Sequence, residues 1–394
     1  MKKIIILMLS FFCFINVRAI DFDIKSSQAI LYNLTEDRIV YEKNPNDSIR
    51  IASLTKLMTI YTAIEYIEDL DAKVTLYPNV FYGLVEANAS VAGFQNNEVV
   101  TYKDLLYGAM LPSGADATKA IGINLFGSED KFIEKMNEVA KNIGMEKTVF
   151  TNTTGLDMEG QMSTVNDLLL LLKKALKDEI FKEIFTTTSY VTSNGRLTLN
   201  STWKKSIDKF KIDVPIIGGK TGFTYGAGLC LASMTEEEGN VFILITTNVP
   251  VMTSTDPLHI KDAKIVYDKL FTEYNTKVIL SKDDIIKTIP VRYSNVENYD
   301  IKIKDDVSLY LSEENVVTYR YVGVEELDSG SKKDEKIGTY EIYVDEILRD
   351  TIDIRLDQEI KFSPISFIKI NWHIMLGSLF FVTSFIVIVR KRRT

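Results

Sequence analysis

A chain of 394 residues, 46% hydrophobic and 25% charged, has room for a large globular domain and a smaller companion, and it excludes a low-complexity or disordered protein. Its net charge of −8 comes with no evident basic face, which argues against a nucleic-acid partner. Two cysteines and two histidines exclude a disulfide framework and zinc sites of the usual spacing, and a serine nucleophile here would look to lysine for its base.

In chain order, Met1-Lys2-Lys3, an apolar run from Ile4 to Val17 and Arg18-Ala19 read as a secretory signal peptide over residues 1–19. Its removal takes Cys13 away and leaves Cys230 without an intrachain partner. Gln28 to Leu34 and Arg38 to Glu42 are strand-like around Thr35-Glu36-Asp37 and predict a hairpin. An apolar helix follows, with Ser53 and Lys56 at its head. Residues three apart share a helix face, so the hydroxyl and the amine can meet. Burial among Leu57, Met58, Ile60 and Tyr61 favours a neutral amine able to take the serine's proton. The same Ser-x-x-Lys spacing also begins at Ser128, Ser201, Ser206, Ser329 and Ser366, so spacing alone selects nothing.

Thr101 is placed to cap a helix running to Met110. Leu111-Pro112-Ser113-Gly114 breaks it, and Asp116 to Ile121 starts another. Ser128 reads as the N-cap of a helix to Ile143, which makes that serine structural. Ser163 to Leu176 carries a leucine-rich helical face. Val214 to Met234 is strand-like with five glycines scattered through it. After a turn at Glu236 to Asn240, Val241 to Thr247 is apolar enough for the centre of a buried sheet. Ile260 to Tyr274 closes the domain as an amphipathic helix, and the sequence of elements predicts an α+β layered architecture.

Residues 275–362 read as short strands separated by turns, an all-β module that serves either as a spacer or for binding. Within residues 370–389, Trp372 to Val389 is almost wholly apolar and, at helical rise, spans about 27 Å, the reach of a transmembrane helix. Arg390-Lys391-Arg392-Arg393, within a tail of residues 390–394, belongs on the cytoplasmic side. The two ends together place the bulk of the chain outside the cytoplasmic membrane.

Two further motifs stand out, Ser113-Gly114-Ala115 on the helix break and Gly219-Lys220-Thr221-Gly222 in a strand. A P-loop fails, because the glycine it needs five residues earlier is Val214. A lysine on an exposed strand edge, beside a hydroxyl and a glycine, is suited to hold a carboxylate while the backbone pairs with a peptide. In this order the motifs resemble those of penicillin-binding proteins and serine β-lactamases. Ala52 to Thr59, Leu111 to Ala117, Asn152 to Asp157, Gly219 to Thr224 and Ala227 to Leu231 resemble the low-molecular-mass D-alanyl-D-alanine carboxypeptidases, and the similarity runs from Ile24 to Ile360.

That resemblance implies a transpeptidase-like domain over residues 20–274, an antiparallel sheet with helices on both faces, acting on peptidoglycan stem peptides that end in D-Ala-D-Ala. It implies that Ser53 forms an acyl-enzyme, that Lys56 takes its proton and that Ser113 relays a proton to the leaving D-alanine. Lys220, Thr221, Gly222 and Phe223 form the substrate-binding strand, and Lys220 and Thr221 hold the terminal carboxylate. The backbone amides of Ser53 and Phe223 supply the oxyanion hole. No metal or cofactor is implied, and β-lactam antibiotics are implied as covalent inhibitors. One position departs from the family: its second motif ends in asparagine, and here that residue is Ala115. Loss of an amide that meets lysine and substrate costs about 2–3 kcal/mol in the transition state, roughly a hundredfold in rate. An active but altered enzyme is therefore expected. The alternative is a non-catalytic peptidoglycan-binding scaffold. A β-lactamase is disfavoured, since it needs neither the β module nor an anchor.

Overall fold

The computed structural model describes residues 22–251 and 256–391, apart from several side chains from residue 380 onward. The signal peptide expected over residues 1–19 lies outside the described residues, as do residues 392–394 of the basic tail. One compact unit ends at Glu273 and a second begins at Tyr274.

In the first unit, β1 (Gln28–Asn33) and β2 (Arg38–Lys43) form the expected hairpin, with Asp37 in a left-handed turn conformation. A 3-10 turn at Ala52–Leu54 leads into α1 (Thr55–Tyr66). β3 (Lys73–Thr75) and β4 (Val99–Thr101) pair as a short ribbon that delivers the chain to α2 (Tyr102–Met110). Thr101 caps α2 through a full capping box with Asp104, which satisfies two otherwise orphaned amides. α3 (Ala115–Phe126) and α4 (Glu129–Asn142) follow, the latter capped by Ser128 as expected. α5 (Val165–Ala175) starts later than expected and is capped by Thr164. Ser163 cannot begin the helix, because its amide and carbonyl are both spent on Ile49. α6 (Glu179–Thr186), β5 (Ser189–Val191) paired with β6 (Thr198–Asn200), and α7 (Thr202–Phe210) were not anticipated.

The stretch expected as strand from Val214 to Met234 is two strands, β7 (Gly218–Thr224) and β8 (Gly228–Glu237). The Thr224 hydroxyl accepts from the Ala227 amide and Gly228 takes a positive φ of 66°, which together reverse the chain. β9 (Asn240–Val249) lies at the centre of a five-stranded antiparallel sheet in the order β2-β1-β9-β8-β7. Alternate residues serve two layers. Ile243 and Ile245 join the main core with Leu57 of α1 and Leu168 of α5. Ser233 meets the Tyr267 hydroxyl of α8 (Leu258–Glu273). α8 stops one residue short of expectation, since Tyr274 already pairs in a strand.

The second unit is all β before its last helix. β10 (Tyr274–Leu280) pairs with β13 (Val307–Ser312), and β11 (Ile285–Arg292) lies between β12 (Asn298–Lys302) and β15 (Leu327–Asp328). β14 (Val317–Gly323), β16 (Lys336–Val344) and β17 (Ile347–Arg355) form a third sheet. Ile289, Ile301, Ile342 and Leu356 are buried in its own core. A cavity of about 470 Å³ opens beside Tyr299, Lys302, Lys304 and Ile354. α9 (Pro364–Lys391) covers the apolar run, and among the described residues no helix is long and apolar enough to cross a membrane.

Candidate active site

The 3-10 turn presents Ser53 between two glycines. Ala52 takes a positive φ of 45°, and its carbonyl oxygen lies 2.0 Å from where a Cβ on Gly155 would stand. On the other side, a Cβ on Gly222 would come within 3.0 Å of the Ser53 amide nitrogen. Only glycine at both positions lets β7 and the segment at 155 close on the serine turn.

Lys56 Nζ lies 3.1 Å from Ser53 Oγ and donates to the Thr154 carbonyl at 2.5 Å. The side chain is fully buried, and desolvation brings its amine down to about 7, with the Asp116 carboxylate pulling the other way. The Thr154 carbonyl is itself fixed, because Asn152 Oδ1 accepts from the Thr154 amide, the Thr154 hydroxyl and the Gly155 amide.

Ser113 stands at the α2–α3 break with a positive φ of 65°. The turn is held by the Gly114 amide on the Gly108 carbonyl and the Ala115 amide on the Ser90 carbonyl. Behind it the buried Asp116 carboxylate accepts from the amides of Ala92, Gly93 and Phe94. The Ser113 hydroxyl accepts from Lys220 Nζ at 2.8 Å, and the same nitrogen donates to the Thr221 carbonyl at 2.6 Å. Burial drives the Lys220 amine well below its ordinary range, and the nearby charge of Lys56 adds to this. Two lysine–serine pairs thus stand close enough for their charges to act on one another.

The expected exposed lysine on the strand edge is not what forms. Lys220 has no exposed surface, its amine being turned inward onto Ser113, and the half-buried Thr221 is the polar residue of that motif that reaches the surface. Phe223 is partly exposed and meets the fully exposed Tyr225 edge-on at 5.5 Å between ring centroids. Ala115 is buried and offers no polar side chain. Sequence reasoning missed Thr154, whose carbonyl holds the lysine, and Thr202, whose hydroxyl lies 2.5 Å from that of Thr221. For Thr154 a signal existed: Asn152 followed by Gly155 is turn chemistry, and the turn aims a carbonyl inward. Ser201, one of the six Ser-x-x-Lys serines, caps α7 through the Lys204 amide.

A serine turn with a buried lysine 3.1 Å from its hydroxyl, beside an antiparallel sheet, is the arrangement of a serine hydrolase of the penicillin-binding type. Residues 15–251 match the D-alanyl-D-alanine carboxypeptidase family and residues 274–361 match the C-terminal domain of penicillin-binding protein 5; the chain belongs to the D-alanyl-D-alanine carboxypeptidase family. Among curated relatives, the D-alanyl-D-alanine carboxypeptidase DacF of Bacillus subtilis (strain 168) is 26% identical over 289 residues, 72% of each chain. A D-alanyl-D-alanine carboxypeptidase of Streptomyces sp. (strain K15) is 31% identical over 230 residues, covering 55% of this chain and 79% of that one. Among solved structures, penicillin binding protein 5 from Haemophilus influenzae superposes with a TM-score of 0.63 at 22% identity, over 87% of this chain and 99% of that one. At that identity the likeness is one of fold. The family reached by resemblance from the motifs is the family the chain matches.

Proposed function

We propose that this serine D-alanyl-D-alanine carboxypeptidase removes the terminal D-alanine of peptidoglycan stem peptides through an acyl-enzyme on Ser53. The observation that carries the reading is the buried Lys56 amine, brought down to about 7 and set 3.1 Å from Ser53 Oγ. A neutral amine has two N–H groups and one lone pair. One N–H is engaged by the Thr154 carbonyl, and the lone pair is free to take the Ser53 proton. Ser53 Oγ then bonds to the penultimate D-alanine carbonyl carbon while that carbonyl becomes an oxyanion, for which the Ser53 and Phe223 amides are the donors. As the carbon–nitrogen bond breaks, the proton that Lys56 took from Ser53 passes through the Ser113 hydroxyl, held in place by Lys220 Nζ, to the nitrogen of the departing D-alanine, which leaves Lys56 neutral again. Water releases the shortened peptide and restores Ser53.

Ala115 favours a second reading, a scaffold that binds peptidoglycan without turnover. The Thr154 carbonyl weighs against it, because the lysine is held without help from residue 115. The test is intact mass of the full-length protein after incubation with a fluorescent penicillin, followed by D-alanine release from a stem pentapeptide. An adduct on the wild type that is lost in Ser53→Ala, with release of D-alanine, is the expected result. A folded wild type that takes no adduct at any concentration would sink the enzyme reading, and an adduct without D-alanine release would favour the scaffold.

The reading extends to location. The Met1 to Ala19 segment acts as a signal peptide, and the apolar run from Trp372 to Val389, with the basic residues after it, anchors the chain so that both units face the cell wall. Fractionation of the full chain against one ending before Pro364 tests this: the first is expected with membranes and the second in the soluble fraction.

A further inference from the structure

Thr202 lies outside every motif, yet it is tied to two of them. Its amide donates to the carbonyl of Leu111, two residues before Ser113, and its hydroxyl stands 2.5 Å from the hydroxyl of Thr221. Two locks fix it there. Ser201 caps α7 and donates its own amide to the Thr188 carbonyl, and the buried Trp203 packs beside Gly219, its ring 3.5 Å from where a Cβ there would stand. The first turn of α7 is thereby clamped against β7.

The direction of the Thr202–Thr221 bond decides its effect. A carboxylate only accepts hydrogen bonds, so Thr221 can serve a substrate carboxylate only by donating its single proton outward. It can do so when its oxygen is the acceptor of another donor; either hydroxyl of the pair could donate by geometry, and a Thr221 proton committed to a carboxylate leaves Thr202 as the donor. A hydroxyl that accepts one bond also becomes a better donor in the next. Lys220 cannot take over the role, because its amine is turned onto Ser113 and the Thr221 carbonyl. We propose that Thr202 is a positioning residue for the substrate carboxylate, acting through Thr221 by holding that hydroxyl with its proton aimed at the ligand. The inference rests on the proposed function.

The test is the second-order rate constant for acylation of the full-length protein by benzylpenicillin, which carries a carboxylate, read by intact mass. Thr202→Val keeps the side-chain shape and removes the hydroxyl; acylation is expected to slow about tenfold, with the thermal midpoint within a few degrees of wild type. Thr202→Ser is expected to recover to within about threefold of wild type. The discriminating readout is a double-mutant cycle. In a Thr221→Val background, adding Thr202→Val is expected to change the rate by less than twofold. A Thr202→Val rate within twofold of wild type, or losses that multiply in the double variant, would overturn the proposal while leaving the carboxypeptidase reading intact. A folded wild type that is never acylated would overturn both.

Discussion

As the proposed base, the Lys56 amine works only when neutral, and burial rather than a partner favours that state. Acylation by a β-lactam is therefore expected to be flat above pH 7 and to fall about tenfold per unit below it, since protonation removes the lone pair. A rate independent of pH between 5 and 8 would remove Lys56 as the base. The neighbouring departure makes a second prediction. Ala115→Asn is expected to raise D-alanine release at least tenfold by returning an amide to a buried position that has no polar side chain. An unchanged rate would mean that the contacts already present around Thr154 suffice. The Ser53–Lys56 pair was legible from the sequence because helical periodicity is local and places residues three apart on one face. What Lys220 touches was not legible: its turn onto Ser113, 107 positions away, depends on how β7 meets the α2–α3 break.

At the scale of elements, two glycines with nearly the same backbone make a controlled comparison. Gly155 and Gly127 have φ of 80° and 82°, so alanine costs each about 1–2 kcal/mol of left-handed strain. At Gly127 an added Cβ meets nothing within 4 Å, whereas at Gly155 it collides with the Ala52 carbonyl at 2.0 Å. Gly127→Ala is expected to lower the urea midpoint slightly and to leave acylation unchanged. Gly155→Ala is expected to destabilise further and to lose acylation, because relief of the clash must move the turn that carries Ser53. Equal behaviour of the two would remove the wedge as a determinant of the site. Long periodic helices such as α4 and the apolar β9 were readable because one face or a whole run declares itself. α6, α7 and the β5–β6 ribbon were not, being short segments whose order comes from long-range contacts such as Thr202 on Leu111.

At the scale of the whole chain, a buried group that plays no part in the chemistry contributes to acid sensitivity. His259 is buried on α8, its Nδ1 meets no partner among the described residues, and burial lowers its imidazole to about 4. The unfolded chain binds a proton near pH 6.5, the folded chain only near 4. The contribution of His259 to stability is therefore complete above 6.5 and is lost as pH drops toward 4, by about 3 kcal/mol in all. The chain has two tryptophans, so a Trp372→Phe variant leaves the buried Trp203 as the sole indole reporter, in the first unit. Urea midpoints followed by that reporter are expected to fall from pH 7 to 4, and His259→Gln is expected to flatten the fall. An equal slope in both would place the acid sensitivity elsewhere.

The strand proposed to receive substrate, β7, has a liability in its relations with other molecules. Among the described residues β7 pairs only with β8, so its other edge lacks a strand partner, although Gly218, Gly219, Lys220 and Gly222 are buried and only Thr221, Phe223 and Thr224 reach the surface where an extended chain, a neighbouring copy included, could meet them. Its composition limits that hazard. Gly218, Gly219 and Gly222 take three of its seven positions, and glycine weakens strand pairing by lost entropy and absent side-chain contacts. The glycine that makes room for the Ser53 turn therefore also makes this strand a poor template for self-association.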